Sequence, residues 1–252
     1  MCWVAVAAGD LPSIGGRLAI AQSPCQSAAR MSPAASPPTP AQSIVIAVDG
    51  PAASGKGTIA RALARHFGLR HMDTGLLYRA VALSMFRFGG DPGNEFEAVR
   101  AVEGVAQVDP TDSELRSEAV SAIASRISTY PGVRAALLDR QRSFAADERG
   151  AVLDGRDIGS VIAPEASAKL FVTASPEVRA QRRVRELLER GMPAHYDDVL
   201  IDIRARDARD SGRDAAPLRQ ADDADLLDTS EMDIDSAIAA AIALVEARLA
   251  RR

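Results

Sequence analysis

Residues 44 to 58 read Ile-Val-Ile-Ala-Val-Asp-Gly-Pro-Ala-Ala-Ser-Gly-Lys-Gly-Thr, and no other stretch constrains the fold as much. A run of apolar, mostly β-branched residues reads as a buried strand, and it breaks directly into a glycine-framed loop. Gly50, Gly55 and Lys56 satisfy G-x-x-x-x-G-K, the pattern of a loop that cradles phosphates with its backbone. The glycines let N–H groups turn inward toward an anion, and a helix starting near Lys56 adds the positive end of its dipole. Gly50, Pro51, Ala52, Ala53, Ser54, Gly55, Lys56, Gly57 and Thr58 are therefore the expected ATP-binding loop, with Lys56 reaching the β- and γ-phosphates. Of 30 Lys and Arg residues, only Lys56 and Lys169 are lysines. A chain that uses arginine almost everywhere keeps a compact ammonium where a planar guanidinium would not fit. The hydroxyl expected directly after the lysine comes one residue late, at Thr58, with Gly57 in its usual place.

The remaining bulk features narrow the function. A formal net charge of -4 provides no basic excess for binding polymeric nucleic acid. No apolar run reaches the roughly 18 residues of a membrane helix. Cys2 and Cys25 both precede the first strand, so the body has no disulfide, thiolate nucleophile or cysteine metal site, which suits a reducing cytoplasm. His66, His71 and His195 are scattered. Residues 1–43 hold six of the 14 prolines, with Ser, Ala and Gln between them. Such a stretch buries too little apolar surface to offset its ordering entropy. It is expected to be a disordered leader or an over-long start, with Met31 as the initiator.

Over residues 44–252, short apolar runs alternate with helical patterns. Strands are expected at 44–48, 70–72, 151–154, 168–173 and 225–228. Helices are expected at 56–67, 76–87 and 179–190, with a last one from about Asp235 whose buried stripe is Ile238, Ile242, Val245 and Leu249. This alternation implies a parallel sheet covered on both faces, an α/β fold with ligands beyond the carboxyl ends of its strands. Residues 89–150 read as a polar, helical insertion. Asp154 ends an apolar strand and is the expected Mg²⁺ residue, through water and together with Thr58; a turn or helix-cap aspartate is the competing reading.

Gly50 to Thr58, Asp73-Thr74-Gly75-Leu76-Leu77-Tyr78-Arg79, Asp154-Gly155-Arg156-Asp157-Ile158-Gly159 and Arg206-Asp207-Ala208-Arg209-Asp210 together resemble the bacterial cytidylate kinases. The G-K-G-T ending of the loop is similarly typical of nucleoside monophosphate kinases. The resemblance runs from about Ile44 to the C-terminus. It implies a P-loop core with a five-stranded parallel sheet, a monophosphate-binding insertion and a short lid over about 179–196. It also implies transfer of the γ-phosphoryl group of ATP to CMP or dCMP with Mg²⁺, by a cytoplasmic enzyme expected to be monomeric.

On that resemblance Arg79 and Arg156 clamp the acceptor phosphate, beside Thr74. Asp157 and Ser125 face the amino side of cytosine, and Arg134 its ring acceptors. Arg206, Asp210 and Arg213 take the ribose and phosphate, and Arg182 and Arg183 close from the lid on ATP. Outside the resemblance, Arg206 and Asp210 also read as an i,i+4 ion pair, and Arg179, Arg182 and Arg183 as a solvated basic face. Another small-molecule P-loop kinase, of the adenylate or shikimate kinase kind, or a nucleotide-binding switch that transfers nothing, are the alternatives.

Overall fold

The computed structural model describes residues 43–251. Apart from Ser43, the expected leader lies outside the described residues.

Five strands form one parallel sheet: β1 (Val45–Asp49), β2 (Arg70–Asp73), β3 (Ala151–Gly155), β4 (Ala168–Thr173) and β5 (Asp225–Asp228), in the order β2-β3-β1-β4-β5. β1 lies in the middle, and Ile46, Ala47 and Val48 have no exposed surface. That placement explains why this strand is apolar at consecutive positions instead of alternating.

Helices cover both faces. Against one pack α1 (Lys56–Phe67) and α8 (Ile234–Leu249), whose Ile59, Leu63, Ala241 and Val245 meet Ile46, Val48, Val152 and Leu170. The other face packs Ala47 and Leu153 against Ile158 and Ile162, which lie in a single π turn after β3. The deepest line of α8 is Ala237, Ala241 and Val245, which corrects the expected stripe: Ile238, Ile242 and Leu249 are only partly buried on the flanks of that line. Small residues let the helix backbone approach the sheet, so the bulkier ones sit to either side.

The segment read as a polar insertion has an apolar interior. α2 (Thr74–Phe88), α3 (Glu95–Ala101), α4 (Glu118–Ile127) and α5 (Pro131–Ala145) share a core of Val81, Leu83, Leu115, Ile127, Val133 and Leu137. α2 begins two residues earlier than its periodicity indicated, because the Asp73 side chain caps it by accepting from Leu76 N at 3.3 Å. α6 (Pro176–Glu189) and α7 (Tyr196–Ser211) form a further pair around Ala180, Leu187, Val199 and Ile203.

The turn out of β1 sets the position of everything after it. Gly50 has φ +152°, and a Cβ there would lie 2.0 Å from the carbonyl oxygen of Val172 in β4. Backbone cannot yield to that contact without moving a central strand. Gly50→Ala is therefore expected to lower stability by about 2 kcal/mol or more. A denaturation midpoint equal to that of the parent protein would contradict this close packing.

Candidate active site

A cleft of about 860 Å³ opens beyond the carboxyl ends of β1, β2 and β3, lined also by α2, α4, α6 and α7. Ten Lys and Arg side chains line it against eight Asp and Glu. In a chain of net charge -4 the cationic excess is thus gathered at one place.

Lys56 opens α1 after Gly55, which holds a left-handed conformation, and its Nζ donates to Pro51 O at 3.1 Å. Burial, and then the nearby Arg156, push the ammonium down to about 7, although Asp154 and Asp73 pull the other way. Asp49 is occupied at the base of the loop: it accepts from Ile158 N at 2.8 Å and Gly159 N at 2.7 Å, and burial raises its pKa to about 7. It ties β1 to the turn after β3.

Asp73 and Asp154 stand opposite each other in the register of β2 and β3. Burial raises the pKa of Asp73, and the charge of Asp154 raises it further. Asp154 Oδ1 lies 2.7 Å from His71 Nε2. Two hard carboxylates side by side, partly offset by Lys56, suit a magnesium ion, which binds through one or two carboxylates, water and substrate phosphates. Thr58 does not line the cleft. Its Oγ1 accepts from Arg61 at 3.3 Å and faces a separate hollow, and the residue whose absent side chain would face Asp154, 3.7 Å from Oδ2, is Gly57.

Arg156 follows β3 and donates from Nε to Asp210 Oδ2 at 2.7 Å. Arg213 donates to the other oxygen of Asp210 and to Ser128 Oγ. Burial alone would raise the pKa of Asp210, but Arg156 and Arg213 outweigh it and leave it lowered. Arg206 carries no such bond at Nε, and burial, reinforced by Arg156, lowers its guanidinium to about 10. Arg79 donates to Leu115 O at 3.4 Å, and Thr74 Oγ1 to Asp154 O at 2.8 Å. Arg134 pairs with Asp157 and also donates to the Tyr78 hydroxyl at 3.4 Å. Burial raises the pKa of Asp157 despite the neighbouring Arg134.

Among the expected site residues, Lys56, Thr74, Arg79, Arg134, Asp154, Arg156, Asp157, Arg183, Arg206, Asp210 and Arg213 meet in this cleft, along with Ala52, Ala53 and Gly57 of the loop. Ser125 is buried without lining it, its Oγ lacking a partner; Ser121 and Ser128 on either side of it do line it. Arg182 does not line it either: it donates to Thr229 O at 2.6 Å, Thr229 Oγ1 at 3.0 Å and Ser54 O at 3.5 Å. The solvated basic face is also corrected. Arg179 is 3% exposed, held bidentately by Asp207 at 2.6 and 2.9 Å and bonded to Ala52 O, so that α6 braces the loop. Arg183 pairs with Glu186 and reaches Glu118 on α4.

Buried side-chain atoms without a partner gather here. Of the six such atoms among the described residues, Ser121 Oγ, Arg206 Nε and Arg213 Nε belong to residues that line the cleft. Native interiors leave few polar groups unsatisfied, and a concentration of them marks a place where a ligand completes the bonding.

A parallel α/β sheet with a phosphate loop after its central strand, opening into a cleft rich in arginine, defines a P-loop phosphotransferase. The family model for cytidylate kinase matches residues 46–247. A cytidylate kinase of Xanthobacter autotrophicus (strain Py2) is 60% identical over 211 residues, covering 83% of this chain and all of the relative. One of Azorhizobium caulinodans is 56% identical over 205 residues, covering 81% of this chain and 98% of the relative. This chain belongs to the cytidylate kinase family. A crystal structure of an uncharacterized protein from Eubacterium ventriosum shares the fold at a TM-score of 0.50 and 16% identity, covering 81% of this chain and 98% of that one.

Asp210 holds two arginines at once, with its side chain 1% exposed and those of Arg156 and Arg213 15% and 5%. Removing its charge strands both. Asp210→Asn is expected to lower stability by about 3 kcal/mol in chemical denaturation. A loss below about 1 kcal/mol would mean that water already screens these arginines.

Proposed function

We propose that the protein transfers the γ-phosphoryl group of ATP to the 5′-phosphate of CMP or dCMP, releasing ADP and CDP or dCDP. Family membership supports the reaction, and one arrangement supports its location: the Arg134–Asp157 pair lies in the same cleft as the Arg156–Asp210–Arg213 cluster and Lys56. A base reader, an acceptor-phosphate clamp and a donor-phosphate lysine are the parts such a transfer requires.

The attacking atom is an oxygen of the CMP phosphate, whose second pKa near 6 leaves it largely ionised at neutral pH. No general base is needed, and catalysis consists of alignment and charge neutralisation. Arg79 and Arg156 grip the acceptor phosphate, and Thr74 orients the loop beside it. Lys56 and the backbone N–H groups of the loop hold the donor phosphates. Arg206, Asp210 and Arg213 take the ribose and the adjoining phosphate, and Arg183 covers the donor side from α6, while Arg182 braces the phosphate loop through Ser54 O instead of meeting the ligand. Asp154, with Asp73 beside it, would hold magnesium, which supplies charge neutralisation at the transferred group when bound with ATP. The domain reading, with residues 89–150 as the acceptor-binding part and about 179–196 as the lid, follows from the same assignments. We place the enzyme in the cytoplasm, acting as a monomer on free nucleotides; among the described residues no helix is long and apolar enough to cross a membrane.

Asp157 as a carboxylate accepts from the cytosine amino group and opposes the O4 of uracil. Activity with CMP, dCMP, UMP and AMP tests this directly, and phosphorylation of AMP without CMP would end the reading. In Asp157→Ala the ratio of kcat/KM for CMP over UMP is expected to fall at least tenfold, about 1.4 kcal/mol of discrimination. Because burial raises the pKa of Asp157, its protonated form, which can donate to O4, grows as pH falls. The same ratio in the parent enzyme should therefore narrow on acidification, and a flat ratio would remove Asp157 from base recognition.

Lys56 supplies a second test. In the free protein burial pushes its ammonium down to about 7, which favours the neutral form at pH 8. Bound phosphates favour the charged form and raise that value, so ATP binding at pH 8 takes up protons. Calorimetry in buffers of different ionisation enthalpy should show the uptake, and Lys56→Met should lose it. Equal heats in all buffers would contradict the assignment.

A further inference from the structure

His71 belongs to no motif that the function has absorbed. It lies on β2, the edge strand next to β3, opposite Val152, with Asp73 opposite Asp154. Side chains alternate along a strand, so His71, Asp73 and Asp154 share one face of the sheet. The imidazole thus reaches diagonally across the strand pair to Asp154 Oδ1, at 2.7 Å. An ionised carboxylate only accepts, so Nε2 carries the hydrogen and donates. The Asp154 side chain is 4% exposed and that of His71 21%.

This bond leaves Asp154 with one oxygen committed and one available. Oδ2 is the oxygen that faces Gly57, directly after Lys56. His71 itself does not line the cleft; it approaches Asp154 from the hollow it shares with Thr58 and Arg61. Without the imidazole, the carboxylate would be free to turn toward Lys56, whose charge already acts on it, and a lysine so engaged is less available to phosphate.

We propose that His71 is a positioning residue for the metal–nucleotide complex: by holding Oδ1 of Asp154 it aims Oδ2 at the phosphate loop, where the divalent cation would be held. The proposal rests on the reading of Asp154 as the magnesium carboxylate. Hydrogen bonds that orient ligating groups are typically worth 10- to 100-fold in metal affinity.

The test uses Mn²⁺ titrated into the full-length protein with a saturating non-hydrolysable ATP analogue, with free Mn²⁺ read by electron paramagnetic resonance. His71→Leu is expected to weaken Mn²⁺ roughly tenfold. His71→Gln, whose amide can donate from a similar place, should recover most of the loss. In steady state, KM for CMP should stay near that of the parent while the requirement for Mg²⁺ rises. Asp154→Asn is measured in parallel, and His71→Leu should add nothing to it. If Asp154→Asn leaves Mn²⁺ affinity unchanged, the magnesium reading of Asp154 falls and the proposal with it. If Asp154→Asn weakens Mn²⁺ but His71→Leu does not, the positioning role alone is overturned. A loss that Gln fails to rescue and that follows thermal stability across the variants would reduce His71 to a structural part and overturn it as well.

Discussion

A buried guanidinium is costly unless a partner waits for it, and the cleft is organised around that constraint. Asp210 serves Arg156 and Arg213 together, Asp157 serves Arg134, and Glu186 with Glu118 serves Arg183. These pairs hold cations in place before any nucleotide arrives, so little reorganisation remains at the moment of reaction. The compensation stops short. Arg206 Nε and Arg213 Nε lack partners, and burial depresses both guanidinium groups and the Lys56 ammonium. The residual positive charge is what the proposed pair of phosphorylated ligands would neutralise.

The sheet is the frame on which those charges are hung. β1 is hydrogen-bonded to β3 on one side and β4 on the other, and the phosphate loop leaves from its end. Asp49 fastens that end to the turn after β3, which carries Arg156 and Asp157 only a few residues away. The phosphate loop and the turn carrying Arg156 and Asp157 are thereby fixed relative to each other by the β1–β3 ladder and by the Asp49 side chain. α6 adds a brace, through Arg179 on Ala52 O and Arg182 on Ser54 O. Rigid support at both ends of the loop is consistent with Ala53 holding a positive φ of 57°, a conformation that a residue with a side chain resists.

Much of this was legible in the sequence because it is local. The apolar runs, the glycine loop and the α1 pattern are each decided by adjacent residues, and the five strands lie within a residue of their expected limits. What escaped depends on neighbours far along the chain. His71 reaches Asp154 only through the register of β2 with β3, which no spacing within one segment reveals. Arg179 and Arg182 look like a solvated face at i and i+3, yet they are turned inward because Asp207 on α7 and Thr229 after β5 lie opposite. Ser121 lines the cleft where Ser125 was expected, a matter of how α4 is rotated against α2. Small residues under α8 escaped because hydrophobicity, the signal used for its stripe, ranks alanine below isoleucine even where close approach decides burial.

The connections between parts of the cleft differ in strength. α6 and α7 share an apolar core and the Arg179–Asp207 pair, which is almost wholly sealed on the arginine side. Separating them would expose that core and strand a buried charge, at a cost of several kcal/mol. The contact from α6 to α4 runs through Arg183 and Glu118, whose side chain is 59% exposed, and exposed pairs of that kind are worth about 1 kcal/mol or less. Water can replace Glu118 on Arg183 easily, while nothing replaces Asp207 on Arg179. Of these two contacts, the one between α4 and α6 is therefore the weaker. Both of its partners, Glu118 and Arg183, line the cleft, so the more easily broken contact lies in the cleft wall itself.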